Sequence, residues 1–194
     1  VHYSWSGVRT LLEEEKNNPA HISREYKIEL NTSEQNTLPL VNIFGGKLTT
    51  HRCMAEKIVN LLKPFFPTMG PAWTELSPLP GSDFNEGNKK TFLHHLHHEY
   101  PHLPRSLLAR YVRQYGTHTT RLLDKAQSVA DLGEHFGHDL YEKEIAYLID
   151  HEWAATGEDI LWRRTKLGLF LTPQEQAAVN DAVNKMVLSQ KLVS

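Results

Sequence analysis

The stretch Val41-Asn42-Ile43-Phe44-Gly45-Gly46-Lys47-Leu48-Thr49-Thr50 combines residue types that can hold an anion. Two glycines let a ligand approach the backbone closely and permit positive φ. Set between an apolar run and the start of a helix, they gather amide N–H groups that lack intrahelical partners and lie at the positive end of the helix dipole. Lys47 adds a full positive charge beside those amides. Such a set can recognise a negative or planar group. Read by itself, the decapeptide fits an ordinary strand-to-helix turn with a solvated lysine equally well, because short glycine motifs recur often.

Positioning such a turn takes a strand before it and a helix after it. Leu40 to Phe44 reads as the strand. Thr50 to Lys63 reads as the helix, with Met54, Ile58, Leu61 and Leu62 on one face, Thr50 as its N-cap, and Pro64 and Pro67 ending it. Upstream, residues 25–30 alternate around Tyr26, Ile28 and Leu30, the pattern of a half-buried strand, and residues 31–36 read as a polar loop. An acidic, proline-containing connection covers residues 13–19.

Residues 64–90 are rich in Pro and Gly and read as a connection between two units. Beyond them the pattern is helical. Helices are expected over 91–99, between Pro104 and Gly116, over 119–127, over 139–153 along Tyr141, Ile145, Leu148 and Ile149, and over 158–166. Thr172-Pro173-Gln174-Glu175 is a capping box that opens a last helix along Ala178, Val179, Val183 and Val187. The expected architecture is mainly α: residues 1–80 carry strands, one helix and the linker, and residues 81–194 form an all-helical bundle.

A net charge of −2 argues against a general nucleic-acid binder. The single cysteine, Cys53, excludes an internal disulfide framework and fits a reducing compartment. No apolar run reaches the roughly 20 residues of a membrane-spanning helix. The opening Val1-His2-Tyr3-Ser4-Trp5 has no initiator Met and no signal-peptide pattern, as expected of a piece of a longer protein.

Several segments together resemble aerobic, FAD-dependent glycerol-3-phosphate dehydrogenase. They are Ser6-Gly7-Val8-Arg9, residues 41–50, Gly70-Pro71-Ala72-Trp73, Pro78-Leu79-Pro80-Gly81, residues 128–138 and Asp159-Ile160-Leu161-Trp162-Arg163-Arg164-Thr165-Lys166. They run in the family's order over essentially the whole chain. The resemblance implies the C-terminal part of the enzyme, with a β-strand and helix remnant of the FAD/substrate domain ahead of the helical domain. The eleven glycines contain no Gly-x-Gly-x-x-Gly fingerprint, so the pyrophosphate site for FAD is expected in the missing N-terminal part, and this chain alone is expected to be inactive.

By the same resemblance, Arg9 and Arg24 are the candidates for the substrate phosphate, which a guanidinium can grip by two parallel bonds. Lys47 is the catalytic candidate, placed to polarise the substrate C2 oxygen. Gly45, Gly46, Lys47, Leu48 and Thr49 are the flavin contacts. One residue departs from the family pattern: His51 stands where tyrosine is common. The implied partners are sn-glycerol 3-phosphate, a quinone as electron acceptor and the missing FAD domain. Peripheral contact with the inner membrane from the cytoplasm and a homodimer are also implied.

His94 and His98, one helical turn apart, could clamp a metal, but no carboxylate–histidine motif or cysteine pair accompanies them, so no metal site is assigned. His135 and His138 read as local hydrogen-bonding groups. Arg163, Arg164 and Lys166 form a basic cluster that could dock a domain or an anionic lipid, or end a solvated helix. The rival functions are a non-catalytic helical docking module and a small histidine-based metal binder.

Overall fold

A computed structural model describes residues 3–8, 25–33, 36–84 and 87–191. Among the described residues the chain is mainly helical, with one two-stranded sheet. It divides into two compact units, residues 4–77 and residues 78–194 together with the first three residues.

In the first unit, strands β1 (Tyr26–Ser33) and β2 (Asn36–Gly45) pair antiparallel, with Tyr26 opposite Gly45, Ile28 opposite Ile43 and Leu30 opposite Val41. Both strands run further than the alternation predicts. Residues 31–33, expected as loop, stay in the ladder, and β2 opens at Asn36 rather than Leu40. Asn31 faces Leu40 and Ser33 faces Asn36, with a register shift between them, so cross-strand pairing holds polar residues in the strand. A 3-10 turn, Leu48–Thr50, leads into helix α1 (His51–Leu62), and a second 3-10 turn, Lys63–Phe65, takes up Pro64. Met54, Ile58 and Leu62 are half-buried, while Leu61 is exposed. No described residue of this unit is fully buried.

The second unit holds the core. Its helices are α2 (Lys89–Glu99), α3 (Arg105–Tyr115), α4 (Thr119–Leu123), α5 (Glu142–Glu152) and α6 (Pro173–Lys191). Consecutive helices pack on one another around Leu107, Leu108, Leu122, Ile145, Leu148 and Val183. Asn88 caps α2, accepting from the amides of Lys90 and Thr91, so the helix starts two residues before the predicted Thr91. Pro104 and Gly116 bracket α3 as expected. The box at Thr172 is formed: the Thr172 amide and hydroxyl donate to Glu175 Oε2 at 2.7 and 2.9 Å. On α6, Val179 and Val183 are buried and Val187 half-buried, but Ala178 is exposed; Ala182 and Met186 complete the stripe.

Three predicted helices are corrected. The one expected over 119–127 ends at Leu123, because Asp124 takes φ +50° and its carbonyl accepts from the Tyr100 hydroxyl at 2.9 Å. The one expected from residue 139 starts at Glu142, since residues 135 and 141 form a β-bridge and Arg110 draws in the Asp139 carbonyl. The one expected over 158–166 is a π-helical segment, Asp159–Arg164, in which the Ile160 carbonyl receives both the amide and the hydroxyl of Thr165.

The division between the two units falls within residues 64–90, and the segment is bonded to its own unit on either side of it. Thr74 accepts from Arg52 of α1 at 3.4 Å. Gly81 is buried against Gly116, and its carbonyl accepts from the Thr117 amide at 2.9 Å. A Cβ on Gly116 would lie 1.7 Å from the Gly81 carbonyl oxygen, so this crossing requires glycine.

The basic cluster is spent inside the unit. Arg164 donates twice to the Glu152 carbonyl at the end of α5, Arg163 pairs with Glu158 and Asp159, and Lys166 donates to the Trp162 carbonyl. Tyr3 stacks on Trp162 with ring centroids 4.1 Å apart, and its hydroxyl donates to Glu158 at 3.2 Å.

Candidate substrate and cofactor turn

The turn begins where β2 ends. Gly45 and Gly46 both take positive φ, +68° and +107°, and a Cβ on Gly46 would stand 3.3 Å from the Tyr26 Cβ. The backbone conformation therefore favours glycine at position 46, and the close approach of β1 leaves little room for a side chain. Lys47 is extended, and its carbonyl accepts from the Thr50 amide at 3.1 Å and from the Thr50 hydroxyl at 2.9 Å. Thr50 occupies the cap position before α1, yet its side chain donates backwards instead of accepting from the helix, which corrects the expected N-cap bond. The His51 ring is tied to the Leu48 carbonyl through Nδ1 at 2.8 Å. Two side chains thus brace the turn from its carbonyl side.

The amides of Leu48 and Thr49 precede the first internal bond of the 3-10 turn, and both residues are exposed. They are oriented donors of the kind that favours an anion. Lys47 Nζ lies 3.0 Å from Glu25 Oε1, and the ammonium is about half exposed. The sequence reading did not single out Glu25. Its signal lies in the register, because pairing Tyr26 with Gly45 carries the preceding residue to the residues after the glycines. Lys57 of α1 lies over the Tyr26 ring at 5.2 Å, and the Tyr26 side chain holds its ammonium group above the ordinary lysine range.

Gly45, Gly46, Lys47, Leu48 and Thr49 are thus brought together in one turn. Arg9, Arg24 and the acidic connection at 13–19 lie outside the described residues. His94 and His98 meet edge to face with centroids 4.7 Å apart, and among the described residues no group of three His, Cys, Asp or Glu side chains is arranged to hold a metal. His135 Nε2 bonds the His138 carbonyl at 2.6 Å, a local contact as expected.

The helical unit carries two features the sequence did not announce. One is an open cavity of about 500 Å³ between α2 and α4, lined by Phe84, Phe92, His95, His118 and Arg121; no residue of the glycine turn lines it. The other is a buried ion pair. Arg110 donates to both Glu144 oxygens at 2.7 and 2.6 Å, and the Tyr115 hydroxyl donates to Glu144 at 2.6 Å. Burial, and then the Glu144 charge, push the hydroxyls of Tyr111 and Tyr115 far above the ordinary tyrosine range.

The described residues thus comprise a hairpin that ends in a donor-lined glycine turn and a mainly helical unit. Residues 72–191 match the family model described as the C-terminal domain of alpha-glycerophosphate oxidase, and the chain belongs to that family. It is 47% identical over 181 residues to a glycerol-3-phosphate dehydrogenase of Pseudomonas aeruginosa, which covers 93% of this chain and 35% of that protein. It is 43% identical to the aerobic glycerol-3-phosphate dehydrogenase of Escherichia coli over 93% of this chain and 36% of that protein. It is 46% identical to the D-erythritol 1-phosphate dehydrogenase of Brucella abortus over 92% of this chain and 35% of that protein. The chain spans about a third of the length of these relatives. No described helix is long and apolar enough to cross a membrane.

Proposed function

We propose that the chain is the C-terminal part of an FAD-dependent dehydrogenase that oxidises the secondary alcohol of a polyol phosphate, sn-glycerol 3-phosphate first, to dihydroxyacetone phosphate. The observation that carries this reading is the Gly45–Thr49 turn, with its two left-handed glycines, its leading amides and the Lys47 ammonium, in a chain of this family. The turn fits one end of a flavin. The left-handed turn at Gly45 and Gly46 carries the chain from β2 to exposed amides, and those of Leu48 and Thr49 suit a carbonyl oxygen that gains negative charge. FAD, when bound, supplies the hydride acceptor for C2 of the substrate.

The chain's own residues do the rest. Arg9 and Arg24 hold the phosphate by charge-assisted bonds. The Lys47 ammonium donates to the C2 oxygen and stabilises the negative charge that develops there as the hydroxyl proton leaves to a general base outside this chain and the hydride leaves C2 for the flavin. The electrons pass on to a quinone, which calls for peripheral contact with the inner membrane from the cytoplasmic side. D-erythritol 1-phosphate, acted on by one of the relatives according to its name, is the second substrate reading. It presents the same pairing of a phosphate with a nearby secondary alcohol.

The test is made on the full-length enzyme. Arg9→Ala weakens the apparent affinity for glycerol 3-phosphate roughly ten- to a hundredfold, the loss expected of a charge-assisted bond in a partly buried pocket, and penalises unphosphorylated glycerol much less. Lys47→Ala lowers turnover instead, since its charge matters most as the alkoxide develops. Equal penalties on both substrates remove Arg9 from the phosphate site, and unchanged turnover in Lys47→Ala removes the catalytic role of the turn. Comparing kcat/KM for glycerol 3-phosphate and erythritol 1-phosphate decides between the two substrates.

A further inference from the structure

We propose that Glu25 is a positioning residue for Lys47: its carboxylate fixes the direction of the ammonium group so that the remaining N–H bonds are offered to the substrate oxygen. This rests on the catalytic reading of Lys47 given above.

Three observations carry it. The register of the hairpin sets Tyr26 opposite Gly45, so the fold, not chance proximity, brings Glu25 to the turn across 22 positions of sequence. The Lys47 backbone is pinned at its carbonyl by the amide and hydroxyl of Thr50, which leaves only the four-carbon side chain to be ordered. A lysine side chain carries considerable rotamer entropy, and a group that must meet a reacting oxygen gains from being held beforehand. Glu25 Oε1 at 3.0 Å supplies that hold. An ammonium has three donors, so one bond to Glu25 leaves two for a ligand. Because both partners are substantially exposed, the pair contributes little to folding stability, and a kinetic effect of removing it separates from a structural one.

The experiment compares Glu25→Gln, Glu25→Asp, Lys47→Ala and the Glu25→Gln/Lys47→Ala double variant of the full-length enzyme, with glycerol 3-phosphate as substrate and Tm measured alongside. Glu25→Gln is expected to lower kcat roughly three- to fivefold while KM and Tm stay near wild type. Glu25→Asp recovers most of the loss, and the double variant turns over no more slowly than Lys47→Ala, because the two residues act through one group. Wild-type kcat in Glu25→Gln beside a slow Lys47→Ala overturns the proposal and leaves the catalytic reading intact. A Glu25→Gln effect of full size in the Lys47→Ala background overturns it too, as does a joint fall of kcat and Tm that aspartate does not relieve. Wild-type turnover in Lys47→Ala removes the catalytic reading itself and this proposal with it.

Discussion

Arg110 and Glu144 show what single residues contribute in the helical unit. Both are buried, and the carboxylate spends its two oxygens on the guanidinium and on the Tyr115 hydroxyl. Removing one member strands the other's charge away from water. Glu144→Ala is therefore expected to destabilise the helical unit by about 3–5 kcal/mol in denaturant titrations, whereas Arg110→Met with Glu144→Leu costs much less, since no charge remains to be solvated. Near-equal losses for the two variants would show that packing volume, not charge, is at stake. The neighbouring tyrosines give the pH dependence. In the unfolded chain Tyr111 and Tyr115 ionise near pH 10, while in the folded unit burial and the Glu144 charge keep both protonated well above it. The unfolded state then binds fewer protons than the folded one. Their contribution is fully present below about pH 10 and is lost as pH rises beyond it. Melts of the helical unit between pH 8 and pH 11.5 should show a flat region followed by a fall that is shallower in Tyr111→Phe.

At the scale of elements, helix ends are set by short-range chemistry. The Thr172–Glu175 box closes the start of α6 through three bonds, and the amide of Thr172 holds the Glu175 carboxyl below the usual carboxylate range. Thr172→Ala should cost about 1 kcal/mol, read as a lower denaturation midpoint with an unchanged slope. A wild-type midpoint would mean that Pro173 and core packing alone start the helix. The π-helical segment differs, because its form depends on partners outside it. Thr165 fills the Ile160 carbonyl twice, Gln114 donates to the Arg164 carbonyl, and Arg164 reaches the end of α5.

At the scale of the molecule, the buried hydrophobic residues among those described all lie between Leu96 and Val183, and the described part of residues 4–77 has no fully buried side chain. A two-stranded hairpin is marginal by itself in water, and α1 adds no fully buried residue to it. Produced separately, residues 78–191 should melt cooperatively, and residues 4–77 should show no cooperative transition by circular dichroism or calorimetry. A piece starting at residue 91 should be less stable than one starting at 78, because it lacks the Gly81–Thr117 bond and the Asn88 cap. A sharp transition in residues 4–77 alone would contradict the division of stability between the units.

The sequence by itself determined what three or four neighbouring residues can settle. The capping box at Thr172, the bracket of Pro104 and Gly116 and the positive φ of Gly45 and Gly46 are local demands of backbone geometry, and all were legible. So were the family motifs, whose order along the chain needs no coordinates. Tertiary structure decided whatever depends on partners distant in sequence. The first strand extends to polar Ser33, across a register shift, because the opposite strand is there to pair with Asn31 and Ser33. The α4 helix stops early, with the Asp124 carbonyl held by Tyr100. Glu25 meets Lys47 and Arg110 meets Glu144 over separations of 22 and 34 residues, where only the folded chain holds both ends of each contact together. Side-chain periodicity and capping act over about one helical turn, whereas these pairs form only after long loops have closed, so their energetics are written in the tertiary fold.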